Sequence, residues 1–197
     1  MDTATRTLAN RIALIVCLGL AALAFGSRTP VAAARPMVIS GATAAEERTV
    51  DWAMRRFRVG GLEGLPPLEV VLHGSRTACD GYLGLFFAGR IDLCTEGLLE
   101  PYARNFALHE MAHAWIEANL PDEQLVRFLR IRGIATWNDQ RLPWKERGAE
   151  QAAEIITWGL GEGEIAPRLP TPVDAETLAS LYELLTGRAP ITLAAAG

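Results

Sequence analysis

The stretch from Asn105 to Trp115 constrains the fold most, because it places two histidines four residues apart around a glutamate. It contains no proline and no glycine and has little β-branching, which favours a helix. Helical residues four apart lie about 40° from one another around the axis, so His109 and His113 share one face. Glu110 lies beside that face. The stretch therefore predicts a helix that presents two imidazoles and a carboxylate together.

This His-Glu-x-x-His pattern is typical of zinc-binding helices. The alternative is a pair of core histidines beside a surface glutamate. A buried face with two imidazoles and a carboxylate would, however, have to satisfy every polar atom it removes from water. We therefore predict that His109 and His113 are ligands of Zn2+. Glu110, next to the ligand face, is predicted to be the catalytic base that takes a proton from the attacking water.

A later stretch, 144–160, offers a third ligand. Its pattern predicts a helix with Glu146, Glu150 and Glu154 at successive turns along one edge. Like charges at this spacing repel, whereas a nearby divalent cation would reverse the sign. A solvated acidic edge is the alternative. Glu150 ranks first as the third ligand because it lies in the body of the helix; Glu146 ranks second, in the first turn, and Glu154 third.

The N-terminus resembles a secretory signal peptide. Arg6 and Arg11 precede an apolar run, 12–26, and a small-residue cleavage site follows at Ala32–Ala34. The run is short for a bilayer span, which needs about 20 residues. An uncleaved signal anchor is the alternative. We predict a signal peptide over 1–34, a single domain over 35–197, and a secreted, extracellular protein.

Charge and cysteine content narrow the partners. The formal net charge of −4 comes without a basic patch, so nucleic acid is not expected. The sequence contains no second long apolar run, so we do not expect stable membrane insertion after signal removal. Cys17 falls within the predicted signal, and Cys79 and Cys94 remain as a pair in an oxidising compartment. We predict a disulfide between them; two buried free thiols are the alternative. The oligomeric state stays open.

The remaining patterns predict an α+β domain with a short antiparallel sheet packed on the motif helix. Thr43 and Glu46 form a capping-box signature for a first helix. Asp174 is a typical N-cap for the last helix, which Gly187 would end. The predicted strands are 68–73, 82–87 and 91–94, and the predicted helices are 43–58, 101–119, 121–133, 144–160 and 174–187.

The two helices together resemble the gluzincin metallopeptidases, which combine an H-E-x-x-H helix with a glutamate on a later helix. His109, Glu110, His113 and Glu150 match that pattern, and Glu154 matches an acidic residue four positions further on. The resemblance covers roughly residues 68–161. It implies zinc, peptide hydrolysis, Glu150 as the third ligand, and Glu154 as a residue that orients a ligand imidazole.

The metzincin continuation is absent, since Ile116 is followed by Glu117. The chain is short, so the resemblance is to a minimal gluzincin acting on a peptide or protein. Tyr182 is a weak candidate for stabilising the transition state. An alternative is that the protein is a secreted zinc-containing binding domain without turnover. Glu146 or His73 would then be the fourth ligand of the zinc ion. A third possibility is cleavage of another amide, such as one in a cell-wall peptide.

Overall fold

The computed structural model describes residues 37–163 and 165–192. The predicted signal peptide and the last five residues lie outside these described residues. In chain order the elements are β1 (Val38–Ser40), α1 (Ala44–Val59), β2 (Glu69–Leu72), a 3-10 turn (Arg76–Cys79), β3 (Gly84–Phe87), β4 (Arg90–Leu93), α2 (Glu100–Asn119), α3 (Asp122–Arg132), a 3-10 turn (Trp144–Glu146), α4 (Gly148–Leu160) and α5 (Ala175–Thr186).

The four strands form one sheet in the order β1-β2-β4-β3. β1 and β2 are parallel and are joined through α1, the kind of crossover connection that parallel strands require. β3 and β4 form a hairpin whose second strand lies beside β2, also parallel to it. β3 therefore pairs with β4 alone among the described strands and forms an edge of the sheet.

The α+β class is confirmed, but the prediction of an antiparallel sheet is wrong in part. Only the β3–β4 pair is antiparallel, so the sheet is mixed. The strand β1 was not predicted, because three residues give too short a pattern to stand out from a loop. The predicted strands carried no order within the sheet, and the structure places β4 between β2 and β3.

The motif helix α2 lies at the centre of the domain. It packs against α1, α4 and β3 and is buried on most sides over residues 107–116. A helix surrounded in this way needs apolar residues all round. Its neighbours supply the rest of the core, including Val50, Phe57, Val70, Ile91, Ile155 and Ile156.

The helix that carries the acidic edge begins later than predicted. Trp144–Glu146 forms a 3-10 turn, and Arg147 is extended, so α4 starts at Gly148. The Arg147 guanidinium binds the Leu142 carbonyl and the Gln140 side chain, which holds the backbone out of helical geometry. Glu146 consequently lies outside the helix that carries Glu150.

A disulfide joins Cys79, at the end of the first 3-10 turn, to Cys94, just after β4, as predicted. It closes a loop of 15 residues. The chain-entropy model gives about 3 kcal/mol of stabilisation for a loop of this length.

We expect the oxidised protein to be two hydrogens lighter than the reduced protein by intact mass. We also expect reduction to lower the free energy of unfolding by about 3 kcal/mol in denaturant titrations. Two free thiols after oxidative refolding would contradict this pairing.

No helix within the described residues is both long enough and apolar enough to cross a membrane.

Candidate metal centre

Three donor atoms from α2 and α4 converge on one point. Nε2 of His109 and Nε2 of His113 lie 3.1 Å apart, and Oε2 of Glu150 lies 3.1 Å from each nitrogen. His109 and His113 lie on one face of α2, one turn apart, as helical geometry requires. Glu150 reaches them from α4, which packs on α2 and whose small residues Ala149 and Ala153 are buried.

The donor set fits a divalent metal ion. Lone pairs of two imidazoles and a carboxylate repel one another at this distance unless a proton or a cation lies between them. A tetrahedral site with bonds of about 2.0–2.1 Å separates neighbouring donors by about 3.3 Å, close to the spacing seen here. His109, His113 and Glu150 thus form a group that could hold a metal ion.

The other proposed ligands lie elsewhere. Glu146 is exposed in its 3-10 turn and is not part of the donor group. His73 lies at the end of β2, where its Nε2 is 2.5 Å from Oδ1 of Asp92 on the neighbouring strand. Neither residue supplies a fourth donor to the group, so the described part of the chain does not form the closed four-ligand shell of a structural zinc site.

Glu154 lies behind the donor group. Its Oε1 is 3.0 Å from Nδ1 of His109, the ring nitrogen opposite the donor nitrogen, although the angle is poorer than in a well-formed hydrogen bond. A carboxylate in this position fixes the tautomer and orientation of a ligand imidazole. Glu154 is only 2% exposed, so its charge needs compensation within the protein.

Arg168 supplies that compensation. Its backbone N–H donates to Oε2 of Glu154 at 2.7 Å, and its Nε donates to Oε1 at 3.0 Å. Burial alone would raise the pKa of Glu154, but His109 and Arg168 together hold it well below its ordinary value. Sequence reasoning missed Arg168, since nothing in the local pattern of a Gly/Pro-rich loop links it to a helix 14 residues earlier.

Glu110 lies beside the donor group and outside it. The side chain is 6% exposed, and this burial raises the pKa of its carboxyl above the ordinary value. The carboxylate packs on Gly84 of the edge strand β3. A Cβ at position 84 would lie 2.5 Å from Oε1 of Glu110, closer than van der Waals contact allows. The isolated glycine in a strand pattern was a sequence signal of this close approach.

We expect Gly84→Ala to displace the Glu110 carboxylate and to slow any reaction in which Glu110 transfers a proton about 100-fold, the effect typical of a 1 Å misplacement at a reacting centre. Metal content should stay unchanged, because the three atoms nearest a Cβ at position 84 all belong to Glu110, which is not one of the three donors. Activity and metal content are measured together. Phe87→Ala is the matched control, since this side chain on the same strand is 76% exposed. Equal activity in Gly84→Ala and wild type would contradict the packing argument.

The charge state of His109 makes metal binding pH-dependent. Burial alone would lower the pKa of His109, but the nearby carboxylates of Glu150 and Glu154 outweigh it and raise the pKa to about 9. In the metal-free protein His109 is therefore protonated at neutral pH, and a metal ion must displace that proton.

We expect the affinity of the metal-free protein for Zn2+ to rise about tenfold per pH unit from slightly acidic pH toward pH 9. Competition titrations with a chelating dye, corrected for protonation of the dye, measure this slope. An affinity that does not change with pH would show that the proton on His109 is not displaced.

Two cavities meet at this centre. The first, of about 270 Å³, is lined by residues that include His109 and Arg168. The second, of about 180 Å³, is lined by residues that include His113 and Glu150. Glu110 and Trp144 line both cavities, and the Trp144 ring lies 5.5 Å from the His109 ring. A linear molecule that occupies both cavities would pass over Glu110.

The weak prediction that Tyr182 stabilises a transition state is wrong. It is fully buried in the core, where its ring packs on Gly159 of α4. It lines neither cavity at the donor group. Its place in the apolar stripe of α5 accounts for its position.

Comparisons of the chain with family models, with curated proteins and with solved structures found no match.

Proposed function

We propose that this protein is a secreted, zinc-dependent peptidase, with His109, His113 and Glu150 as metal ligands and Glu110 as the general base. The observation that carries the proposal is the convergence of three donors, 3.1 Å apart, beside a buried carboxylate at the junction of two cavities. A two-histidine, one-glutamate set leaves a fourth tetrahedral position open, which is the arrangement of catalytic rather than structural zinc.

The residues of the chain have distinct tasks in this reaction. A bound zinc ion would polarise the scissile carbonyl and lower the pKa of the attacking water. Glu110 accepts a proton from that water and delivers it to the leaving amine. The raised pKa of its carboxyl makes Glu110 a stronger base, although the charge of a cation works against this rise. Glu154, held by Arg168, keeps the imidazole of His109 in place.

Secretion is supported by the N-terminal pattern and by the disulfide. Disulfides persist in oxidising compartments and are rare in the cytosol. The Cys79–Cys94 bridge ties the loop before β3 to the end of β4. It therefore supports the edge strand that contacts Glu110 in the environment where the protein is proposed to act.

Digestion of a broad peptide library by the purified protein tests the proposal. We expect cleavage that a chelator abolishes and that added Zn2+ restores, with about one zinc bound per chain by elemental analysis. A metal-loaded protein that cleaves no peptide would contradict the peptidase and favour a binding domain. Cleavage that continues in the presence of the chelator would contradict the proposed role of the metal ion.

A further inference from the structure

The 270 Å³ cavity differs from its neighbour in its charge. Arg76 and Arg168 both line it, and among the described residues Glu110 is the only carboxylate in its lining. The 180 Å³ cavity contains Glu150 and Arg147, whose guanidinium is already bound by the Leu142 carbonyl and the Gln140 side chain. The two sides of the centre therefore present different chemistry to a substrate.

The guanidinium of Arg168 is held rigidly at the cavity. Its Nε and Nη2 donate to Glu154, and its central carbon lies 4.7 Å from the centres of the Phe106 and Trp144 rings. Nη1 makes no hydrogen bond to any residue that the structure describes, and the side chain is 39% exposed. A planar guanidinium fixed on one edge and open on the other is well suited to bind a carboxylate.

Arg76 provides a second positive charge at the same cavity. It begins the 3-10 turn that ends at Cys79, so the disulfide fixes its backbone. Its side chain is exposed, and no carboxylate of the described residues lies within 4.0 Å of its guanidinium. Its charge is therefore available to a ligand.

We propose that this arginine-lined cavity binds a carboxylate of the substrate, next to the bond to be cleaved. The inference rests on the proposed peptidase function and specifies its substrate class. Once a divalent cation joins the two arginines, their positive charge exceeds the negative charge of the three carboxylates at the centre, which attracts an anion. The carboxylate is either the free C-terminus of a peptide or the side chain of an internal Asp or Glu.

Binding to the Glu110→Gln protein loaded with Zn2+ tests the inference without hydrolysis. Two matched pairs of peptides serve as probes. The first pair is one peptide as its free acid and as its C-terminal amide. The second pair is that amide with Glu and with Gln at one internal position. We expect one carboxylate-bearing peptide to bind about 10- to 100-fold more tightly than its neutral partner, as for charge-assisted hydrogen bonds.

A preference for the free acid identifies the C-terminus as the ligand, and a preference for internal Glu identifies a side chain. Equal binding of both pairs would overturn the inference. Cleavage of amidated, uncharged peptides by the wild-type protein at the same rate would also overturn it, while leaving the proposed peptidase intact.

Substitution of Arg76 gives an independent test. We expect Arg76→Ala to reduce the ratio between carboxylate-bearing and neutral peptides, and Arg76→Lys to restore part of it. Arg55→Ala is the control, because Arg55 is exposed on α1 and lines neither cavity. An unchanged ratio in Arg76→Ala would overturn the role of this residue, and a change in zinc affinity would point to the metal instead.

Discussion

Replacing Glu110 with glutamine is expected to lower kcat/KM for peptide hydrolysis about 10²- to 10⁴-fold, the contribution of a positioned general base. Glutamine has nearly the same shape as glutamate, so it fits against Gly84 where a larger group would not. It cannot accept a proton from the attacking water. Metal content should match wild type, because Glu110 is not one of the three donors.

Glu117→Gln is the matched control for this prediction. It makes the same chemical change on the same helix, at an exposed position. Kinetics on one peptide and zinc content are measured for both variants. Loss of zinc from Glu110→Gln would make that residue a ligand, and unchanged hydrolysis would exclude it as the base.

The part of the centre on α2 was predictable because its geometry is local. The 3.6-residue helical period fixes the relation of His109, Glu110 and His113 wherever the helix lies. The same locality explains the success at helix ends. Thr43 and Glu46 form the predicted capping box, and Gly133 and Gly187 end their helices in the left-handed conformation.

The parts that need distant residues were harder to predict. Glu146, Glu150 and Glu154 carry the same chemistry in sequence, and tertiary packing gives them different positions. The extended residue Arg147 separates the 3-10 turn of Glu146 from α4, while the packing of α4 on α2 brings Glu150 to the histidines. The ion pair between Glu154 and Arg168 depends on how a loop folds back, which no periodic pattern encodes.

The sheet illustrates the same limit. Alternating and β-branched residues indicated three strands, but pattern alone does not define which strands are neighbours. The placement of β4 between β2 and β3 leaves β3 at the edge, beside Glu110. The role of Gly84 follows from that placement and from the absence of a side chain.

Glu150→Ala is expected to weaken zinc binding more than any other single substitution on the acidic edge. Oε2 of Glu150 lies 3.1 Å from both donor nitrogens, so its loss removes a donor that no other described residue replaces. Glu154→Ala should weaken binding about 10- to 100-fold, as expected for a residue that orients a ligand. Glu146→Ala should leave affinity unchanged.

Competition titrations of the three alanine variants at one pH measure this order, and thermal unfolding of each metal-free variant separates lost metal affinity from lost structure. Glu146→Ala is the internal control, because it removes the same charge from an exposed side chain only four residues before Glu150. If Glu146→Ala lost as much metal as Glu150→Ala, the ligand would lie before the start of α4, and the donor group would have to rearrange around it. If Glu154→Ala had the largest effect, the Glu154 carboxylate at Nδ1 of His109 would contribute more to zinc affinity than the Glu150 carboxylate at Nε2. Glu150 would then not be the third ligand.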